Sequence, residues 1–546
     1  MEWTLAASPK SRREAHYGDR VVSCFVERPA SVPDMLEAAV AAKPDGEALV
    51  CGERRWSWRD VEREVAAAAI ALAERGISQG DRVALLVGNR AEFVFALFAI
   101  LRLGAIAVPL STRYQTPEIA YALNDCGASL LIYEADLASR LPAPEQVRSV
   151  RKHVIVGGTV AVPGDGAEPW QALTQARGAA PPKLGQEEDT AIILYTSGTT
   201  GRPKGAMLTH LSLISSALVF QHCFALSAAD RSIAAAPLAH VTGIVVNVLS
   251  MLACGGTLII LPEFKAPVFL ALAERERMTH TLLVPAMYNL CLLAADFGQR
   301  DLSAWRIGGF GGAPMPEPTI TRFAEILPGL KLMNAYGATE TTSPSTIMPA
   351  ELTTSHLASV GLPVPNCEIM IVDDRGVELP RGEIGEIWVG GPSVVKGYWN
   401  RPDADAESFT AGYWHSGDIG SMDEDGFVYV LDRMKDMINR GGFKIFSAEV
   451  ESVLASHPAV VESAIVARPC PVLGERVHAF VTVREPAPMA PELKRYLQDK
   501  LSDYKVPETF TLTTDPQPRN SNGKILKRQL REALQLETDS NAQRRP

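Results

Sequence analysis

An apolar run from residue 190 to 194 leads straight into Tyr195-Thr-Ser-Gly-Thr-Thr-Gly-Arg-Pro-Lys-Gly205, a stretch with three glycines, four hydroxyl side chains and one lysine. A buried strand that ends in such a loop constrains the fold, because the loop has to sit at the edge of a sheet with its backbone free to curl. Gly198, Gly201 and Gly205 allow N–H groups to turn inward as a nest, and Thr196, Ser197, Thr199, Thr200 and Lys204 add side-chain donors. The loop suits phosphate, and a triphosphate is its natural guest. It is not a Walker loop, which needs Ser or Thr after its lysine, whereas Gly205 follows Lys204.

Around this loop the pattern is α/β. Residues 83–87 read as a strand, 92–103 as a helix and 105–110 as a strand. Thr116 is expected as an N-cap, Pro117 at the first helical position and Gly127 just past the helix end, before a strand at 129–133. Helix-flanked, mostly parallel sheet follows from that alternation. Residues 147–188, rich in Gly, Pro and Ala, are expected to be mostly loop. Residues 232–262 contain no Asp, Glu, Lys or Arg and imitate a membrane span. His240, Thr242 and Asn247 interrupt that stretch, and Gly255-Gly256 divides it into a buried helix and a strand at 257–261.

Short β-rich runs between 367 and 399, punctuated by Gly376, Gly382, Gly385, Gly390 and Gly391, predict a small β subdomain. Around Arg433 and beyond, a strand at 428–431, helices at 447–456 and 491–501 and strands at 463–467 and 479–483 make a compact α+β unit. The expected division is therefore 1–432, a short polar hinge at 433–436 and 437–546, with the tail after about 536 lacking fixed order.

At 546 residues, 47% of them hydrophobic, the chain can bury more than one core. A net charge of −10 argues against a nucleic-acid partner. The eight cysteines are widely spaced, with no C-x-x-C pair and no metal-ligand cluster, so reduced thiols are expected. The start of the chain shows no basic segment followed by an apolar one, which predicts a cytoplasmic protein without a transmembrane segment.

The loop at 195–205, with further landmarks in order from about Trp56 to Lys524, resembles the adenylate-forming superfamily: acyl-CoA synthetases, adenylation domains of nonribosomal peptide synthetases and luciferase. The resemblance implies a large N-terminal domain and a small mobile C-terminal one. Asn334-Ala-Tyr-Gly-Ala-Thr-Glu340 resembles the segment in which Tyr336 stacks on adenine, Thr339 contacts the α-phosphate and Glu340, with Thr196, holds Mg²⁺; Asn334 and Gly337 come with it. An aromatic face suits a purine and a carboxylate suits a hydrated Mg²⁺. Phe310-Gly311-Gly312-Ala313 is similar to the segment along the adenine and the acyl wall. Asp418 and Arg433 match ribose contacts.

Lys524, in Pro518-Arg-Asn-Ser-Asn-Gly-Lys524, matches the catalytic lysine. A carboxylate that attacks phosphorus while pyrophosphate leaves brings two anions together, and a flexible ammonium relieves the charge. Gly441 and Gly442 resemble the loop lining a pantetheine tunnel for CoA, and Lys435 aligns with the hinge about which the family rotates its small domain.

His240, in Pro237-Leu-Ala-His240, matches the group that gates the carboxylate end of the acyl site. Val241 stands where amino-acid-activating relatives place Asp, so an amino-acid substrate is disfavoured. Val241, Phe310, Gly311, Ala338 and Met287, with Leu283, suggest an apolar pocket. The implied reaction is ATP- and Mg²⁺-dependent joining of a hydrophobic monocarboxylic acid to CoA through an acyl-adenylate, the acid being a medium or long fatty acid or an alicyclic or aryl acid. Transfer to a separate carrier protein is the alternative, a catalytically silent nucleotide or acyl sensor is a third reading, and a homodimer stays open.

Overall fold

The structure, a computed structural model, describes residues 9–158, 166–196, 202–313, 315–519 and 525–543, with the backbone alone for 537–543. The chain divides into two compact units. The first comprises Met1–Ile369, Trp388–His415 and Asp425–Val428, and the second Met370–Ile387, Ser416–Glu424 and Tyr429–Pro546.

Two large sheets build the first unit. One runs in the order Lys204–Thr209, Thr190–Thr196, Ile106–Pro109, Arg82–Leu86, Leu130–Glu134, Lys152–Val156 and Glu168–Pro169. All its pairs are parallel except that between Thr190–Thr196 and Lys204–Thr209, the two strands flanking the glycine-rich loop. The other carries Lys331–Tyr336, Ile307–Gly311, His280–Leu283, Arg231–Ala234 and Thr257–Ile260 side by side and parallel. Strands covered on both faces have no polar side to keep, and Val83, Ala84, Leu85 and Leu86 are accordingly all buried. Between Glu92 and Arg102 the helix Ala91–Arg102 is apolar all round because it lies inside the core that joins residues of both sheets.

Ahead of these, Ser11–His16 and Arg20–Phe25 form an antiparallel hairpin. It is clamped by Arg20, a nearly buried guanidinium that donates to the carbonyls of Val395 and Lys396 at 2.8 and 2.9 Å. In the second unit Phe443–Ile445, Ile438–Arg440, Gly474–Val483 and Val460–Cys470 follow in order, with Thr509–Thr513 beside Gly474–Val483. The helices Ser447–Ala455 and Ala490–Gln498 bury Val450, Leu454, Leu493 and Leu497 in a core shared with this sheet.

Four expectations need correction. Gln115, not Thr116, precedes the helix Thr116–Cys126, and its N–H donates to Glu118 Oε2 at 2.8 Å. The stretch expected as loop holds the strand Lys152–Val156 and the helix Trp170–Thr174, whose apolar side chains Val154, Ile155, Val156, Trp170 and Leu173 are buried. Past Leu536 the chain continues as helix, Lys527–Gln543. Within 232–262 the helix is π-type over Thr242–Leu249 before turning α over Ser250–Cys254. Among the described residues no helix is long and apolar enough to cross a membrane.

Candidate active site

The strand Thr190–Thr196 leads to the glycine-rich loop, and its partner Lys204–Thr209 takes the chain back into the sheet in register, with Thr196 opposite Lys204. Ser197, Gly198, Thr199, Thr200 and Gly201 lie outside the described residues. At the loop's edges the geometry is plain. Thr196 Oγ1 donates to Glu340 Oε1 at 3.2 Å, and the Tyr398 hydroxyl donates to the same oxygen at 3.1 Å. Lys204 Nζ lies 4.8 Å from the centre of the Tyr398 ring. Tyr398 is buried, and burial first, then the Glu340 charge beside it, pushes its phenol well above the ordinary range, so it stays a donor.

Sequence reasoning missed Tyr398. Its segment is fixed by long-range backbone pairing, Met207 N–H to Gly397 O at 2.9 Å and Trp399 N–H to Gly205 O at 2.7 Å. The Gly397-Tyr398 pair was the one visible cue.

Glu340 sits in a single tight turn, Thr339–Thr341, that follows Lys331–Tyr336. Tyr336 ends that strand half-exposed, and Gly337 leaves room beside it because a Cβ there would meet the Ser343 and Pro344 backbone at 3.2 Å. Asn334 is paired with Phe310 and Ala335 with Gly311 in the parallel register. A Cβ on Gly311 would stand 2.3 Å from the Ala335 carbonyl oxygen, so only glycine lets these strands meet here. Gly312, at φ +78°, and Ala313 are exposed just beyond.

His240 N–H donates to Pro237 O at 3.1 Å, and the Thr242 N–H reaches His240 Nδ1 at 3.3 Å. A ring nitrogen that accepts carries no proton, so the imidazole is neutral with its hydrogen on Nε2, and burial lowers its pKa in the same sense. The loop bearing it is positioned by Asn89, a second residue the sequence did not disclose. Its amide nitrogen donates to the Ala234, Ala236 and Leu261 carbonyls at 3.0 to 3.2 Å, and its oxygen accepts the Leu238 N–H at 2.8 Å. Val241, Leu283 and Phe310 are buried, and Met287 and Ala338 partly so. A cleft of about 310 Å³ elsewhere in this unit, lined by Gly88, Asn89, Arg90, Thr112, Glu134, Leu137 and Pro262, takes in none of the predicted pocket residues.

In the second unit Asp418 is buried and paired with Arg433, Nε to Oδ1 at 2.7 Å, while Arg433 also donates to Ser416 O at 3.0 Å. Gly441 and Gly442 take φ of +60° and +93° in an exposed turn, a conformation glycine adopts without a Cβ penalty. Lys435 is exposed, and Arg531 of the last helix donates to its carbonyl at 3.3 Å and pairs with Asp436. Lys524 lies outside the described residues.

Helix-flanked parallel sheet, with one strand ending at Thr196 against the Glu340 carboxylate, is an architecture suited to a nucleotide-binding enzyme. The chain belongs to the AMP-binding enzyme family, whose model matches residues 36–399, with the family's C-terminal domain matching 449–524. It is 35% identical over 490 residues to a feruloyl-CoA synthase of Amycolatopsis, covering 89% of this chain and 96% of that one. To a long-chain-fatty-acid–CoA ligase of Escherichia coli it is 33% identical over 547 residues, covering 94% and 97%. Its fold is similar to o-succinylbenzoate coenzyme A synthetase of Bacillus subtilis, solved with an acyl-adenylate intermediate and with ATP and a magnesium ion. The TM-score is 0.81 in both cases, at 30 and 31% identity, over 92 and 91% of this chain and 98% of that one.

Proposed function

We propose that this protein is an AMP-forming acid:CoA ligase that activates a hydrophobic monocarboxylic acid with ATP and passes it to coenzyme A. The acid carboxylate attacks the α-phosphorus, the bond to pyrophosphate breaks, and the CoA sulfur then attacks the acyl carbon while AMP leaves. The observation that carries this reading is the shared Glu340 oxygen. It ties the end of the phosphate-loop strand to the turn after Tyr336, so that the two stretches expected to touch nucleotide meet at one carboxylate.

Glu340 and the Thr196 hydroxyl offer an all-oxygen set, which fits Mg²⁺, and they are the residues that would hold it. Bound there, the ion neutralises phosphate charge. Tyr336 takes the adenine face, Gly312 and Ala313 lie along it, and Thr339 and Lys204 contact phosphate. Asp418 and Arg433 bind the ribose, a role consistent with an aspartate already oriented by an arginine. His240, neutral, presents Nε2–H at the carboxylate end of a pocket formed by Val241, Met287, Phe310, Gly311 and Ala338.

Lys524 serves adenylation and the Gly441-Gly442 turn serves thioester formation, with the functional boundary at 433–436 and Lys435 as its hinge. A cytoplasmic location and a homodimer belong to the same proposal, and cell fractionation and light scattering check them.

Relatives that act on an aryl acid and on long-chain fatty acids leave two branches for the substrate. Turnover over a panel of aryl, alicyclic and fatty acids, with CoA and with a phosphopantetheinylated carrier protein in parallel, tests the proposal. CoA-dependent release of AMP and pyrophosphate is expected, and turnover with the carrier alone would favour the alternative acceptor. Lys524→Ala is expected to lose adenylate formation yet still make thioester from supplied acyl-adenylate. Equal loss of both steps in folded protein would count against the division of labour.

A further inference from the structure

The N-terminal hairpin holds a group of side chains that adenylation does not use. A carboxylate oxygen of Glu14, a ring nitrogen of His16 and Cys24 Sγ all lie within 4.8 Å of one another. His16 is 6% exposed and Cys24 fully buried. The ring is fixed from behind, because Glu188 Oε1 sits 2.9 Å from Nδ1 and holds the hydrogen there. Nε2 faces inward, 3.5 Å from Glu14 Oε2, and forms no hydrogen bond among the described residues. A buried imidazole nitrogen without a partner calls for an explanation. A carboxylate behind an imidazole whose far nitrogen faces a second carboxylate, with a thiol in the same cluster, is the arrangement that orients histidine toward a metal.

We propose that Glu14, His16 and Cys24 form a binding site for a Zn²⁺-class transition metal ion, with a fourth position for water. Sulfur, imidazole and carboxylate together select a borderline-soft ion over Mg²⁺ or Ca²⁺. Tetrahedral zinc with bonds of about 2.0 to 2.3 Å puts its ligand atoms roughly 3.5 Å apart, so a small inward movement of the three groups closes the site.

Two cations face it and have to be reckoned with. Arg28 donates to both Glu14 oxygens and to both Glu187 oxygens, and Arg12 donates to Glu14 Oε1 at 2.7 Å. Against these two guanidiniums stand the three carboxylates of Glu14, Glu187 and Glu188. With Cys24 as thiolate the group carries two net negative charges, and a dication neutralises them. An ionised carboxylate has lone pairs enough to keep Arg28 and accept a metal. Arg28 beside it holds Glu14 at a pKa of about 2, so it is always ready, whereas burial pushes the Cys24 thiol up to about 11 and the ion has to displace a proton there. Glu188 lies two residues before the strand Thr190–Thr196, so through the His16–Glu188 contact the ion would pin the hairpin near the base of that strand.

The test uses the full chain, stripped with a chelator and titrated with Co²⁺ and then Zn²⁺. A thiolate-to-cobalt charge-transfer band that saturates at a single ion per chain and is erased by Zn²⁺ is expected. Cys24→Ser should abolish that band, and Glu188→Ala should weaken Zn²⁺ binding about 10- to 100-fold by releasing the ring. No such band in the unmodified protein overturns the proposal whether or not the variants fold, and it would mean that the thiol itself serves Nε2. A band that survives Cys24→Ser overturns it too, by placing the metal on another cysteine.

Discussion

Glu340 is oriented by two neutral hydroxyls, and that choice matters for the carboxylate proposed to hold Mg²⁺. A lysine or arginine in their place would satisfy its charge and compete with the metal, whereas Thr196 and Tyr398 fix its position and leave the charge available. Tyr398→Phe removes one donor worth about 1 kcal/mol. Adenylate formation is expected to fall about fivefold, with thioester formation from supplied acyl-adenylate unchanged, as measured by pyrophosphate exchange and single-turnover assays. An unaltered exchange rate would show that Thr196 alone positions the carboxylate. Thr196 and Glu340 were legible in the sequence because each lies in a local motif. Tyr398 and Asn89 were not, since their hydrogen bonds depend on segments that meet only after both sheets have formed, and a lone Tyr or Asn after a strand carries no periodic signal.

Among the elements, the π-type stretch Thr242–Leu249 carries the most consequence. Its wider turn starts two residues after His240 and is packed so closely that a Cβ on Gly243 would stand 2.2 Å from the Pro237 carbonyl oxygen. Gly243→Ala therefore has to displace the 237–240 loop. A stability loss of about 1 to 3 kcal/mol is expected, together with a higher KM for the acid at little changed KM for ATP. Urea unfolding and steady-state kinetics measure the two effects, and equal changes in both KM values would argue against a local displacement. The regular βαβ elements were legible because apolar strands and a helix charged only near its ends alternate without a break. Lys152–Val156 and Trp170–Thr174 were not, because each stands alone in a Gly-, Pro- and Ala-rich stretch and mixes polar residues such as Lys152, His153 and Gln171 with its apolar ones. The helix Lys527–Gln543 hid behind a polar composition that reads as tail, although Leu530 and Leu534 are buried against the sheet of the second unit.

On the scale of the whole chain, buried histidines set the response to acid. His210 and His280 in the first unit and His478 in the second each have a pKa pushed down from 6.5 to about 4 by burial, and His210 Nδ1 accepts the Val32 N–H at 3.2 Å. In the unfolded chain they protonate at the ordinary value, so between pH 6.5 and about 4 the unfolded state holds more protons. The stability they confer is complete above 6.5 and declines as the pH falls, by up to about 1.4 kcal/mol per pH unit for each histidine. Denaturant midpoints that stay flat across that window would contradict this.

Arg20 reaches from the N-terminal hairpin to the carbonyls of Val395 and Lys396, and the Val395 N–H in turn holds the Glu340 carbonyl at 2.9 Å. Residues 11–25 thus act as a strap whose buckle lies one peptide away from the proposed magnesium ligand. A shortened gene product beginning after Phe25 is therefore a poor economy for anyone preparing this ligase: its core should survive, and its grip on ATP should slacken.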